Sequence, residues 1–359
     1  MGLGKVPVTG AALAGAGAAA LFGPRLRSAA SVRQLSRGED AYGVYSMDVF
    51  YDYDIDRIVA RDYKDSQGYV QAVLAEALPH VPVHIDVPSF GCSALQLQTT
   101  DGIWFTGRNY DFRRDTSLLI VRCAPKDGYG SVALAALDNV GIVDPTASIK
   151  NRLACLAMPF ACLDGMNSQG VTVSVLTLDS EPTVRHTGKP MLATSLVMRL
   201  VLDRAATTDE AVELLGNYDM LALNGRDYHF FISDARGNSV AVEYDCNAAD
   251  RAMTVTPTDA ITNFCIMYGQ DVVLSAGGER YGHGVDRYET ILDILCRDDG
   301  SYNRQTAWEC LHESAQLPNP DDVTSNAQWS AVYDHANLTV EVVHRRRWQE
   351  PHLMQVLQG

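Results

Sequence analysis

One stretch commits this chain to an antiparallel sheet before any other. From Cys92, "CSALQLQ" alternates Leu95 and Leu97 with Gln96 and Gln98, the period-two pattern of a half-buried strand. Asp101-Gly102 then supplies a two-residue turn signal, and residues 103–111 read as the returning strand. Ideal two-residue pairing sets Cys92 directly across from Asp111, a thiol and a carboxylate on one face of the ladder. The same pairing turns Arg108 to the opposite face unless a bulge or an end to regular pairing near Asn109 and Tyr110 intervenes.

Further hairpins are expected from 229–233 with 239–244, around turn residues 234–238, and from "WSAVYD" with "LTVEVVH" near the C-terminus. Single strands are expected at 118–123, 131–137 and 171–178, and near Met253 and Ile261. "MDVFYDYDIDR", from Met47 to Arg57, also alternates as a strand would. Helical spacing covers "DSQGYVQAVLAEAL", 190–204, 286–295 and 304–315, and 209–215 behind a capping box from Thr207 to Glu210. Hairpins around a central helical pair describe antiparallel sheets covered by helices; a doubly wound parallel fold would alternate strand and helix more regularly.

The 359 residues, 47% hydrophobic and 20% charged, are enough for one large domain or two modest ones with a sizeable core. Lys+Arg 29 against Asp+Glu 44 leaves a formal charge of -15, which argues against a nucleic-acid partner, since a phosphate backbone calls for a basic footprint. The eight cysteines form no Cys-x-x-Cys and no Cys/His cluster at zinc spacing, and Pro82 between His80 and His84 spoils a helical ligand pair, so no metal and no cofactor is expected.

At the N-terminus, Lys5 is followed by a charge-free run over 6–24, mostly Ala and Gly, long enough for a signal or membrane anchor. Arg25, Arg27, Arg33 and Arg37 follow it, on the wrong side for simple export. Export or membrane anchoring and a cytoplasmic leader therefore both stay open. The Pro-rich "LPHVPVHIDVPSFG" punctuates the chain just before Cys92 and marks the expected boundary.

Five blocks, taken together and in order, resemble one family: "GCSALQLQTTDGIWFTGRNYDF" from Gly91, "DGMNSQGVTVSVLTL" from Asp164, "HFFISDARGNSVAVEY" from His229, "AITNF" from Ala260 and "DRY" from Asp286. That family is the choloylglycine hydrolases, linear amide C-N hydrolases of the N-terminal nucleophile (Ntn) superfamily that include bile salt hydrolases and penicillin V acylases. The resemblance spans about residues 91–345. It implies an α+β fold, a four-layer αββα sandwich of two antiparallel sheets, and a nucleophile that is the first residue of the mature chain.

Cutting Gly91-Cys92 would then divide the chain into a leader and propeptide, 1–91, and a catalytic domain, 92–359. The Cys92 thiolate attacks the Gly91 carbonyl, the acyl group shifts to sulfur, and water hydrolyses the thioester. The freed α-amine, with a reference pKa of about 7.7 to 8.0, can take the thiol proton. By the same resemblance Arg108 lowers the thiol pKa, Asp111 orients the amine, Asn263 donates to the oxyanion, and Arg287 is a second active-site arginine. Thr177 stands where bile salt hydrolases and penicillin acylases generally place asparagine; its hydroxyl donates over a shorter reach. Trp104, Tyr110 and Phe264 are candidates to line an apolar acyl pocket.

The implied partner is a small-molecule amide of the N-acyl amine, conjugated bile acid or penicillin V type, and the family often forms homo-oligomers. The long segment before the nucleophile is similar to that of acid ceramidase, its N-acylethanolamine-hydrolysing relative and the isopenicillin acyltransferases. Two alternatives stay open: an acyltransferase, in which an amine resolves the thioester, and a non-catalytic envelope or binding protein whose Gly91-Cys92 bond is never cut.

Overall fold

The computed structural model describes residues 22–78, 91–178, 180–268, 284–297, 301–321 and 325–358. The apolar run over 6–21 and the Pro-rich stretch from 79 to 90 lie outside the described residues. Among the described residues no helix is long and apolar enough to cross a membrane, and no group of three or more His, Cys, Asp or Glu could hold a metal ion.

Two large sheets face one another. The nine-stranded sheet runs Arg33–Arg37, Gly43–Val49, Leu118–Cys123, Ser131–Ala136, Asp164–Asn167, Thr172–Leu178, Asp227–Ser233, Ser239–Tyr244, Met253–Pro257. The six-stranded sheet runs Ala260–Ile261, Gly91–Gln98, Trp104–Asp111, Ala327–Asp334, Thr339–His344, His352–Gln355. Helices Thr194–Arg204 and Thr208–Gly216 cover the outer face of the first sheet, and Gly284–Leu295 and Arg304–Glu313 cover that of the second. This is the αββα sandwich the sequence resemblance implies. One pair within the large sheets breaks the antiparallel rule: Gly43–Val49 runs parallel to Leu118–Cys123.

Strand parity explains the layers. On strand Gly91–Gln98 and its neighbours, Leu95, Leu97, Phe105 and Val332 pack against Ile291, Ile294, Ala307 and Leu311 of the covering helices. The alternate residues Cys92, Ala94, Tyr110, Trp329, Ala331 and Tyr333 enter the core between the sheets. The strand is thus buried on both faces, and Gln96 sits inside, donating from Nε2 to the Asp234 carbonyl at 3.0 Å. Its polar periodicity reflects a buried hydrogen bond, not a solvent face.

The hairpin itself differs from the sequence expectation. Thr99 and Ile103 close the ladder through Thr99 N–H to Ile103 O at 2.9 Å, and Gly102 takes φ 85 while its N–H donates to Thr99 O. The loop is therefore three residues, Thr100-Asp101-Gly102, with glycine in the left-handed position that other residues strain to adopt. The extra residue slips the register by one: Gly91 pairs with Asp111, Cys92 with Tyr110 and Ala94 with Arg108. A one-residue slip reverses faces. Cys92 and Arg108 share the inter-sheet face, while Asp111 lies on the helix-covered face with Ser93; the expected Cys92–Asp111 pairing is corrected accordingly.

The N-terminal region also departs from its sequence reading. "MDVFYDYDIDR" stops being a strand at Val49; Asp54 caps a short helix, Ile55–Val59, its side chain accepting from Asp56 N–H. Residues 33–49 supply the first two strands of the larger sheet. Tyr51 and Tyr69 donate through their hydroxyls to Leu156 O at 2.5 Å and Phe160 O at 2.8 Å. What precedes Cys92 is, in its described part, an integral edge of the sandwich.

Candidate active site

Near the start of strand Gly91–Gln98, six residues from five segments converge. Arg108 reaches Cys92 because both occupy the inter-sheet face: its Nη2 donates to Cys92 Sγ at 2.8 Å and to Val175 O of the opposing sheet at 2.7 Å, and Nη1 donates to Asn109 O at 2.9 Å. The guanidinium therefore spans the two sheets and ends on the thiol. Asn263 follows the short strand Ala260–Ile261, which pairs with Leu95 and Ala94, and so arrives beside residue 92. Its Oδ1 accepts the Cys92 backbone N–H at 2.7 Å, and its Nδ2 donates to Thr177 O at 2.8 Å.

Arg287 comes from the first turn of helix Gly284–Leu295. Nη1 donates to Cys92 O at 2.6 Å and Ser93 Oγ at 2.7 Å and lies 3.5 Å from Asp111 Oδ2; Nη2 donates to Asn263 Oδ1 at 2.8 Å. Gly284 permits this approach. A Cβ there would stand 2.7 Å from Asn263 N and 2.8 Å from Thr262 Oγ1, inside contact distance.

Every charged group in this cluster is buried. Burial pushes the Cys92 thiol up to about 12, against the opposing pull of the Arg108 guanidinium. Burial likewise raises the Asp111 carboxyl, with Arg287 acting against it. Asp111 Oδ2 accepts from Gln316 Nε2 at 3.4 Å, while Oδ1 has no hydrogen-bond partner among the described residues. A buried carboxylate oxygen without a donor is costly, and this one belongs to the residue paired with Gly91, next to the bond expected to be cut.

Not every candidate reaches the site. Trp104 closes the far end of the hairpin, about 20 Å along the strand from Tyr110 at ~3.3 Å per residue. Tyr110 is the cross-strand neighbour of Cys92, yet its ring is fully buried and stacked on Trp329, with centroids 4.1 Å apart. It fills the inter-sheet core instead of lining an open acyl pocket. Phe264 adjoins Asn263 and packs edge-on against Tyr288 at 5.1 Å.

The sequence pattern gives Asp164 no site role. It opens "DGMN", and its Oδ2 lies 3.6 Å from Arg108 Nε while accepting from Trp329 Nε1 at 3.1 Å; the Tyr333 hydroxyl donates to Oδ1. Asp164 thus holds the back of the guanidinium whose front meets Cys92. The only sequence signal for it was a carboxylate at the head of an otherwise apolar strand pair.

An αββα sandwich with a thiol near the start of an inner strand, its backbone nitrogen held by a side-chain amide, has the architecture of the Ntn-hydrolase fold. Comparison with known proteins narrows this. Residues 92–251 match the model of the linear amide C-N hydrolases, choloylglycine hydrolase family, beginning at Cys92. Two variants of conjugated bile acid hydrolase from Clostridium perfringens superpose with TM-score 0.53 each at 16% and 15% identity, covering 74% of this chain and 92% of theirs. Penicillin V acylase from Agrobacterium tumefaciens superposes with TM-score 0.50 at 19% identity, covering 73% of this chain and 84% of that one. No curated protein sequence matches. Over residues 92–251 the chain is similar to the choloylglycine hydrolase family of linear amide C-N hydrolases, and its fold is that of the bile acid hydrolase and penicillin V acylase structures.

Proposed function

We propose that Cys92 is the nucleophile of a cysteine Ntn amidase, and that it acts through an acyl-thioester once the Gly91-Cys92 bond is cut. The observation that carries this reading is the double grip on one residue: Arg108 on Cys92 Sγ at 2.8 Å and Asn263 on Cys92 N at 2.7 Å. A cysteine placed only for packing needs neither. With the peptide bond intact, the nitrogen is an amide without basicity and the thiol is neutral. Cleavage turns the nitrogen into an amine beside the sulfur, so nucleophile and base become one residue.

Asp111 suits the new amine, because its unpartnered Oδ1 offers an acceptor beside position 91. Arg108 then faces the developing thiolate. Asn263 Nδ2 has two N–H donors and uses one on Thr177 O, leaving the other for the tetrahedral oxyanion. Thr177 enters this reading through its backbone carbonyl, which orients the Asn263 amide, in place of the hydroxyl donor suggested by its position. The substrate is a small-molecule amide; conjugated bile acids, penicillin V and N-acyl amines are the compounds to try.

Intact mass and N-terminal sequencing, on wild type and on Cys92→Ala, test the reading. A wild-type fragment beginning at Cys92, absent from the variant, is expected, together with turnover of a member of that substrate panel. A folded chain that stays uncut and inactive would overturn it in favour of a non-catalytic binding protein, and transfer of the acyl group to an added amine in preference to water would make it an acyltransferase.

A further inference from the structure

The block from His229 to Tyr244 supplies no group that touches Cys92, yet its two ends bury an ionisable pair. His229, on strand Asp227–Ser233, and Glu243, on strand Ser239–Tyr244, are both fully buried. His229 Nδ1 meets Glu243 Oε1 at 2.9 Å. Its Nε2 lies 2.8 Å from Thr262 O, a carbonyl that only accepts, so Nε2–H donates. Glu243 accepts two backbone N–H groups: Ile266 on Oε1 and Met267 on Oε2, each at 2.7 Å.

Those three backbone groups bracket Asn263. Thr262 precedes it by one residue, and Ile266 and Met267 open the short helical turn Ile266–Tyr268 just beyond it. The pair therefore clamps the Asn263 segment from both sides, with Gly284 O accepting from Thr262 Oγ1 at 2.6 Å on the far flank. Removing two ionisable groups from water carries a desolvation cost that apolar residues in the same place would avoid. Spending it beside this one loop is explained if the loop must hold a polar group to within a fraction of an ångström, as an oxyanion donor requires.

We propose that His229 and Glu243 are positioning residues for the reaction, acting through the backbone of Thr262, Ile266 and Met267 to fix the Asn263 amide against Cys92. This rests on the reading of Asn263 as the amide that serves the Cys92 nitrogen and the oxyanion. The opposing view is a merely structural pair that stabilises the sheet edge.

A double-mutant cycle separates the two in the full chain: His229→Gln, Glu243→Gln, Asn263→Ala, and each of the first two combined with the third, assayed on whichever of penicillin V, a glycine-conjugated bile acid or an N-acyl amine is turned over fastest. Each single variant is expected to lose about 10² in kcat with KM within ~3-fold, and His229→Gln or Glu243→Gln added to Asn263→Ala to cost less than ~3-fold more, because both act on one group. Full additivity in the cycle overturns the clamp while leaving the Asn263 reading intact. Wild-type kcat in Asn263→Ala removes that reading and the clamp with it.

Hydrogen exchange on the unmutated protein gives a second measurement that needs neither turnover nor a stable variant. The Ile266 and Met267 amides are expected to exchange as slowly as those of the neighbouring strands, and rapid exchange at both would overturn the clamp.

Discussion

At the level of single residues, the thiol of the uncut chain has to cleave Gly91-Cys92 from a small thiolate fraction, because the amine that serves as its base exists only afterwards. Burial holds Cys92 neutral, with its pKa near about 12, although Arg108 stands 2.8 Å away. Only the thiolate attacks, so in the uncut chain the reactive fraction at pH 7.5 is about three orders of magnitude below that of a free cysteine of pKa ~8.5. Iodoacetamide labelling followed by peptide mapping checks this. In uncut protein, exposed Cys296 is expected to label readily, while Cys92 labels slowly and gains about tenfold in rate per pH unit up to pH ~11. Cys92 labelling at the pace of Cys296 near neutrality would contradict a buried neutral thiol. Cys92, Arg108, Asp111, Asn263, Thr177 and Arg287 were all legible in the sequence as motif positions. The motif pattern gives Asp164 and the His229–Glu243 pair no role, because their partners are backbone groups and side chains on other strands and loops.

Among the elements, the hairpin loop and the N-terminus of helix Gly284–Leu295 set the geometry. Asp101-Gly102 announced a turn, but a two-residue and a three-residue loop share that signal. The difference lies in Gly102 closing a bulged loop with Thr99 and Ile103. That single residue decides that Arg108, not Asp111, shares a face with Cys92, and it resolves the conflict between ideal pairing and the expected role of Arg108. The helix end is equally exacting, since Gly284 leaves no room for a Cβ against Asn263 N and Thr262 Oγ1. Gly284→Ala is therefore expected to displace Asn263 and Arg287 together, lowering kcat at least tenfold with a modest fall in melting temperature. Kinetics and a thermal melt on the same preparation check it, and unchanged kcat would show that the contact relaxes without moving either side chain.

For the molecule as a whole, the expected cut does not coincide with a boundary between folded units. Strand Gly43–Val49 is hydrogen-bonded to Leu118–Cys123 along six residue pairs. Arg152 Nη1 donates to Val32 O at 2.6 Å, and Tyr51 and Tyr69 reach into the 155–160 turn. Once Gly91-Cys92 is cut, the N-terminal piece is expected to stay bound as a second chain: both fragments co-elute on size exclusion under native conditions and separate only in denaturant. Release of the N-terminal fragment in native buffer would contradict this. The sequence by itself determined the class of fold and pointed to amide hydrolysis, because period-two strands, turn residues and five ordered blocks are local patterns that survive without knowledge of neighbours. What only the tertiary structure decided was which residues share a face, that the segment before Cys92 is part of the sheet, and which buried pairs lie against the Asn263 segment. Each of those depends on register and on contacts between separate segments of the chain, where a shift of one residue reverses a strand and no local pattern records it.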